Sequence, residues 1–392
     1  MKNDQMFFYS NFGYNYFGPL LLGFVKWLNE KLKSEKIDKV YFLSRDGFVM
    51  KRAFDLIKDD SIKSYYFYAS RRATIVPLLW KLKKEEDIFE VITFNKKIKV
   101  ASFLKKVGLD NVDCIDILNE FNVSKDDMID MNNTENFFPL LKKLFPVIKE
   151  NSRREWKALE QYSYKMDFIG KVAIVDIGWY GTMQNSMEKL FPKNKIYGYY
   201  FGIVPNTKIA KSNYNGYIFS KNENIELYMK MHYFINIFEF LFLAQHGSVK
   251  KYINQNEVEF YDYEYINHDE KSIALNIQNS AINFIKKNKS MNVDTSASII
   301  KFINYFLYPS NYSSVRFGNI QFKDDDFKYI AKPKFLFFYF FNFKTLKNDF
   351  IDSSWRIGFL KRLFKIPLPY YKINNIIRNR FNYAKESKNE NN

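Results

Sequence analysis

Two short apolar runs constrain this chain more than anything else in it. VYFL (40–43) is apolar throughout, and VAIVDI (172–177) is interrupted only by Asp176. Neither has the length of a buried helix, and neither alternates as a half-solvated strand does. Both therefore read as strands covered on both faces, the habit of parallel sheets. Each run then meets a turn and a helical pattern. VYFL leads through Ser44-Arg45-Asp46-Gly47 into a periodic stretch over 48–57, and VAIVDI leads through Gly178-Trp179-Tyr180-Gly181-Thr182 into a helix ending near 191. Tyr65 to Tyr68 reads as another strand, followed by Ser70-Arg71-Arg72, and KIYGYYFGIV (195–204) as a fourth. Strand, helix and strand in alternation predict an α/β fold built on a parallel, Rossmann-like sheet.

The rest of the chain is expected to be helical. Gly18-Pro19 starts a helix with Leu20, Leu21, Phe24, Trp27 and Leu28 on one face. Residues 75–165 read as a helical insertion. The expected organisation is an α/β domain over 1–250 and a mainly helical, basic region over 251–392, with YPSNYSS (308–314) as a loop and KESKNENN as a disordered tail. The 392 residues carry a formal charge of +17, which favours polyanionic or phosphorylated partners. Cys114 is the single cysteine, so an intrachain disulfide and a thiolate metal cluster are excluded. His232, His246 and His268 lack metal-type spacing. The N-terminus shows no signal-peptide pattern, and no apolar run reaches the roughly 18 residues of a membrane span. The expectation is a cytoplasmic protein, with a peripheral position on the inner membrane as the functional alternative for its basic C-terminal part.

In open α/β sheets, ligands bind beyond the carboxyl ends of the strands. The Asp176–Thr182 loop has the parts of an anion cradle there. Gly178 and Gly181 let backbone N–H groups approach a phosphate, Thr182 is placed to cap the next helix, and the helix N-terminus adds positive potential. Asp176 suits ribose hydroxyls or a magnesium ion. Neither GxGxxG nor GK[ST] occurs, so this is neither the dinucleotide fingerprint nor a Walker loop.

The set GYNYFGPLLLGFVKWL, VYFLSRDGF, YFYASRRA, VDIGWYGTMQ and EFLFLAQHGSV resembles, in this order, a module of bacterial surface-polysaccharide proteins. That module often follows a haloacid-dehalogenase-type phosphatase domain and often carries that hydrolase's name. The resemblance covers about residues 10–250, with a weaker echo in YPSNYSSVRFGN and SSWRIGFL. It implies a type I phosphoribosyltransferase-like fold that moves 5-phosphoribosyl from phosphoribosyl pyrophosphate (PRPP) to a growing glycan, with magnesium bound alongside the donor. On that resemblance Gly178, Trp179, Tyr180, Gly181 and Thr182 hold the 5-phosphate, and Ser44 and Gly47 belong to the diphosphate loop. Arg45, Arg71 and Arg72 stabilise the leaving diphosphate. One acid, Asp176, stands where nucleotide phosphoribosyltransferases have two. Asp46 is the first choice for general base and Glu239 the second; Asp46 or Asp176 is the alternative contact for the PRPP-bound magnesium. His246 is assigned to the acceptor cleft or, in the plainer reading, to the core. Trp179 either stacks on substrate or covers the loop.

Two other readings compete. A haloacid-dehalogenase phosphatase needs a strand ending in Asp-x-Asp, which neither apolar run supplies. The missing step of removing the 5-phosphate then falls to a separate phosphatase. A basic, aromatic-rich binding protein for nucleic acid or membrane is the other; no RNA-binding signature occurs, whereas residues 335–385 interleave Lys and Arg with Phe, Leu, Ile and Tyr.

Overall fold

The structure, a computed structural model, describes residues 2–110, 112, 114–204, 213–220, 223–262, 268–323 and 327–377. Its central sheet has five strands: β1 (Lys39–Leu43), β2 (Lys63–Phe67), β3 (Lys171–Trp179), β4 (Lys195–Ile203) and β5 (Asn213–Phe219). All neighbours pair in parallel, in the order β2-β1-β3-β4-β5. This is the expected α/β, Rossmann-like core. The order reverses where β1 meets β3, with Val40 opposite Ala173 and Phe42 opposite Val175. A crevice at the carboxyl ends follows from that reversal, because the connecting segments leave in opposite directions.

The strands bury both faces, as their unbroken apolar runs require. Val40, Phe42, Ala173 and Val175 pack under the helices Gly18–Ser34 and Gly47–Phe54. Tyr41, Leu43, Val172 and Ile174 face Leu159, Tyr162 and Met187 on the other side. Each buried Val, Leu, Ile or Phe side chain contributes about 1.5–3 kcal/mol by leaving water. Gly47 matters for packing: a Cβ there would lie 2.6 Å from the Phe42 carbonyl carbon, so only glycine lets this helix sit down on β1. The helix ends at Phe54, earlier than the periodicity predicts.

The insertion over 75–165 is mostly helical and has its own core around Leu79, Phe103, Leu118 and Leu144. It also contains a short antiparallel pair, Lys97–Lys99 with Met128–Asp130, that the helical reading did not anticipate. The helix Phe138–Lys165 joins both cores: Leu144 and Ile148 serve the insertion, while Leu159 and Tyr162 cover the sheet.

The hydrophobic core runs straight across the expected boundary at 250. Phe12 and Phe17, from the N-terminal helical segment, share one cluster with Ile277, Phe302, Phe306 and Phe317. A Cβ on Gly13 would lie 2.3 Å from the Ile277 carbonyl oxygen, so the first and last thirds of the chain touch backbone to backbone. YPSNYSS is corrected in part: Ser310 caps a helix, Asn311–Gly318, its hydroxyl accepting from the Ser313 N–H at 3.0 Å. Arg378, Arg380, Lys385 and the KESKNENN tail lie outside the described residues. Among the described residues no helix is long and apolar enough to cross a membrane.

Candidate active site

At the end of β3 the backbone turns through three left-handed residues: Gly178 (φ 112°), Trp179 (φ 70°) and Gly181 (φ 58°). At Gly178 a Cβ would also lie 2.2 Å from the Gly202 carbonyl oxygen, so glycine is required twice over. The chain then enters the nine-residue helix Thr182–Leu190. Its first amide groups have no intrahelical acceptor, and the residues that carry them line a cavity of about 350 Å³. The cap is Gly181 rather than Thr182. Thr182 is the first helical residue, and its hydroxyl has no hydrogen-bond partner among the described residues.

Trp179 lines the cavity but is largely withdrawn from solvent. It is buried, stacked on Phe219 with centroids 5.9 Å apart, and its indole N–H donates to Glu239 Oε1 at 2.9 Å. Its work is to orient Glu239. The aromatic side chain that stays open at the loop is Tyr180, 58% exposed.

At the end of β1, Ser44 knits two strands together. Its N–H donates to the Phe67 carbonyl, its hydroxyl donates to the Ala69 carbonyl, and the Ala69 N–H donates back to the hydroxyl, each at 3.0 Å. That leaves little for a ligand, so Ser44 positions the loop. Gly47 likewise packs against β1 and does not line the cavity. The Ser44–Arg45 peptide is cis, and Arg45 and Asp46 both line the cavity.

After β2, Ser70 caps the next short helix and donates its hydroxyl to the Val249 carbonyl at 2.7 Å. The two arginines that follow diverge. Arg71 is exposed at the cavity, and its guanidinium makes no hydrogen bond or ion pair among the described residues. Arg72 holds Glu155 with two N–H···O bonds, at 2.6 and 2.9 Å, donates to the Lys250 carbonyl at 2.5 Å, and lies 3.6 Å from Asp110. Arg72 also lines the cavity, and these bonds give its guanidinium a structural role there.

Glu239 reaches the same cavity from the helix Ile235–Phe240. Three carboxyl groups thus share a space rimmed by Arg45 and Arg71. The Asp46 and Asp176 carboxyl groups lie close enough to act on each other, and their burial favours a protonated form of the pair. Burial, and then the charge of Asp176, hold Asp46 well above the usual carboxyl range. Burial pushes Asp176 up to about 6, against the lowering effects of Asp46's hydrogen bond, the Ile177 N–H and Arg71. Glu239 is raised by burial and by Asp46, and lowered by the Trp179 hydrogen bond. Asp176 Oδ1 is buried without a hydrogen-bond partner.

His246 does not line the cavity. Its Nδ1–H donates to the Gly247 carbonyl at 2.8 Å, which leaves Nε2 to accept from the Tyr66 hydroxyl at 2.8 Å. Burial pushes its pKa down, so it is the neutral, satisfied histidine of the plainer reading. Ser70, Gln184, Tyr200 and Ser248 line the cavity without having been singled out. Gln184 had no sequence signal: its role is to accept from the Tyr200 hydroxyl at 2.7 Å and donate to the Asn213 carbonyl at 3.1 Å, bracing the helix to the sheet.

Among the described residues no group of three or more His, Cys, Asp or Glu side chains is arranged to hold a metal ion. The Asp46–Asp176 pair, with its two buried carboxyl groups and the orphaned Asp176 Oδ1, nevertheless suits a cation that arrives with its own oxygen ligands. No protein-family model matches the chain, and no curated protein is similar to it in sequence.

Proposed function

We propose that the chain is a glycosyltransferase that moves 5-phosphoribosyl from PRPP to a sugar hydroxyl of a surface polysaccharide, capsule or O-antigen. The acceptor in this reading is a lipid-linked or oligosaccharide glycan at the cytoplasmic face of the inner membrane. One observation carries it: anion-binding groups and three carboxyl groups converge in one cavity at the point where the strand order reverses.

The division of labour follows from the chemistry of each side chain. The N-terminus of the helix Thr182–Leu190, with the Thr182 hydroxyl, receives the 5-phosphate. Arg45 and Arg71 receive the diphosphate and stabilise the charge it gains on leaving. Asp176 and Asp46 face the ribose hydroxyls and would hold the magnesium bound with PRPP. Magnesium would supply neutralisation of the diphosphate. In the transfer, the bond from the anomeric carbon to the diphosphate oxygen breaks and a bond to the acceptor oxygen forms on the opposite face, giving a β-ribofuranoside. The acceptor proton passes to a carboxylate. Glu239, held by Trp179 and open to the cavity, fits that task better than Asp46, which sits against Asp176 and would be engaged with the cation.

The product keeps its 5-phosphate, and a separate phosphatase of the haloacid-dehalogenase type would remove it. A donor screen by mass spectrometry tests the reading, with PRPP set against nucleotide sugars and a lipid-linked or synthetic glycan acceptor. Transfer from PRPP that adds a phosphopentosyl mass is expected. Transfer from nucleotide sugars alone would overturn the proposal, and so would a phosphate-free pentosyl product made by this chain unaided.

A further inference from the structure

The segment Phe335–Phe343 departs from the usual disposition of phenylalanine. Phe335 is 87% exposed, Phe337 76% and Phe340 71%, and Phe341 and Phe343 are equally open. Isolated exposed apolar side chains are ordinary, but a contiguous aromatic patch marks a surface meant to be covered. This patch is contiguous: Phe337 and Phe341 meet edge to face at 5.3 Å, and Phe340 and Phe341 at 5.7 Å.

The exposure is built into the fold. Tyr339, in the middle of the segment, is 1% exposed and points inward. Its hydroxyl donates to Asp349 Oδ2 at 2.8 Å and accepts from the Lys334 N–H at 2.8 Å. With Tyr339 pinned inward, the short helix Leu336–Phe340 turns its phenylalanines to the outside. The surroundings are cationic. Residues 328–372 carry ten Lys and Arg against two acids, Asp349 and Asp352, and Asp349 is already engaged by Tyr339. Lys332, Lys334, Lys344 and Lys347 directly flank the aromatic run, with Lys334 Nζ 4.6 Å from the Phe338 ring centroid.

We propose that Phe335–Phe343 is a membrane-surface anchor that sinks its phenylalanines to headgroup depth in an anionic bilayer, with the flanking lysines on the lipid phosphates. A lipid surface is the occupant because aromatic rings and a lysine rim match its two layers, apolar below and anionic above. A complementary protein groove would have to offer acidic residues around an apolar slot. A second copy of this basic face would set cation against cation. The inference is independent of the transfer chemistry.

The experiment is vesicle co-sedimentation of the full chain, using phosphatidylcholine alone and phosphatidylcholine with about 30% phosphatidylglycerol, in low and high salt. The expected result is binding to the anionic vesicles that weakens with salt. The variant Phe337→Ser, Phe340→Ser, Phe341→Ser should lose about tenfold or more of that binding, while its thermal unfolding stays at the wild-type midpoint because these positions are exposed. A second variant, Lys344→Glu with Lys347→Glu, should lose the preference for anionic lipid. Absence of wild-type binding, or equal binding by the serine variant, overturns the proposal. So does a wild-type dimer in sedimentation velocity that the serine substitutions turn into a monomer, since the patch would then be an interface between copies.

Discussion

The Arg72 cluster and the Asp46–Asp176 pair both bury charge at neighbouring strand ends, and they do it in opposite ways. Arg72 sits among Glu155, Asp110 and the Lys250 carbonyl, with only 12% of its side chain exposed. Each charge meets its complement there, and the cluster ties the insertion to the sheet. Asp46 and Asp176 bring like groups together in a buried site, which favours holding a proton, and Arg45 and Arg71 offset this only in part. Compensated burial holds a fold in register, whereas uncompensated burial stores an unmet demand for a cation or a ligand.

Removing one partner from the compensated cluster should have the largest effect. Arg72→Ala leaves Glu155 buried without its cation and is expected to destabilise the protein by about 3–5 kcal/mol in urea unfolding. A loss under about 1 kcal/mol would mean that the cluster is not the brace described above.

The opposite sign is expected in the uncompensated pair. Asp46→Asn can donate to Asp176 without a borrowed proton, so it should stabilise the fold by on the order of 1–2 kcal/mol at pH 8. It should also lower transfer at least about 100-fold. The pH dependence follows the same logic. Asp176 binds its proton more tightly folded than unfolded, so the folded state loses stability as pH rises from the unfolded value of 3.8 through about 6. Wild-type unfolding followed across that range should show the decline, and Asp46→Asn should flatten it. Identical slopes would remove the protonated pair from the account.

Arg71 and Arg72 make the sharpest version of the contrast, since they are adjacent in the chain. Arg71→Ala should change stability by less than about 0.5 kcal/mol while raising the KM for the diphosphate donor about tenfold. A folding defect there would erase the distinction between the two arginines. The smallest effect belongs to Trp179→Phe, which keeps the ring but loses the N–H that favours ionised Glu239. The acid limb of the rate profile should move to higher pH, with kcat reduced about two- to fivefold. An unmoved limb would release Glu239 from the role of base.

How much of this was legible depended on whether a residue's partner is near it in the chain. β1, β2, β3 and β4 show as apolar runs ending in polar turns, because strand burial acts residue by residue. β5, with NYNG at its start, carries two asparagines and a glycine and gives a weak signal. Thr182 looked like a cap because Thr caps helices well, but the left-handed Gly181 takes that place. Ser44 and Arg72 read as ligand contacts by their types, and His246 as a residue of either the acceptor cleft or the core. Their hydrogen bonds go to Ala69, Glu155 and Tyr66, partners 25, 83 and 180 positions away.

The sequence by itself determined the parallel sheet, the strand-end turns and the presence of Arg45, Asp46, Arg71 and Asp176 beside them. Apolar run length and glycine conformation are local, so they can be read locally. Only the tertiary structure decided which charges would be answered. It sealed Arg72 against Glu155, set Asp46 against Asp176, and left a row of phenylalanines outside. Those outcomes depend on which distant segments the packing brings together, and no window along the chain contains both partners.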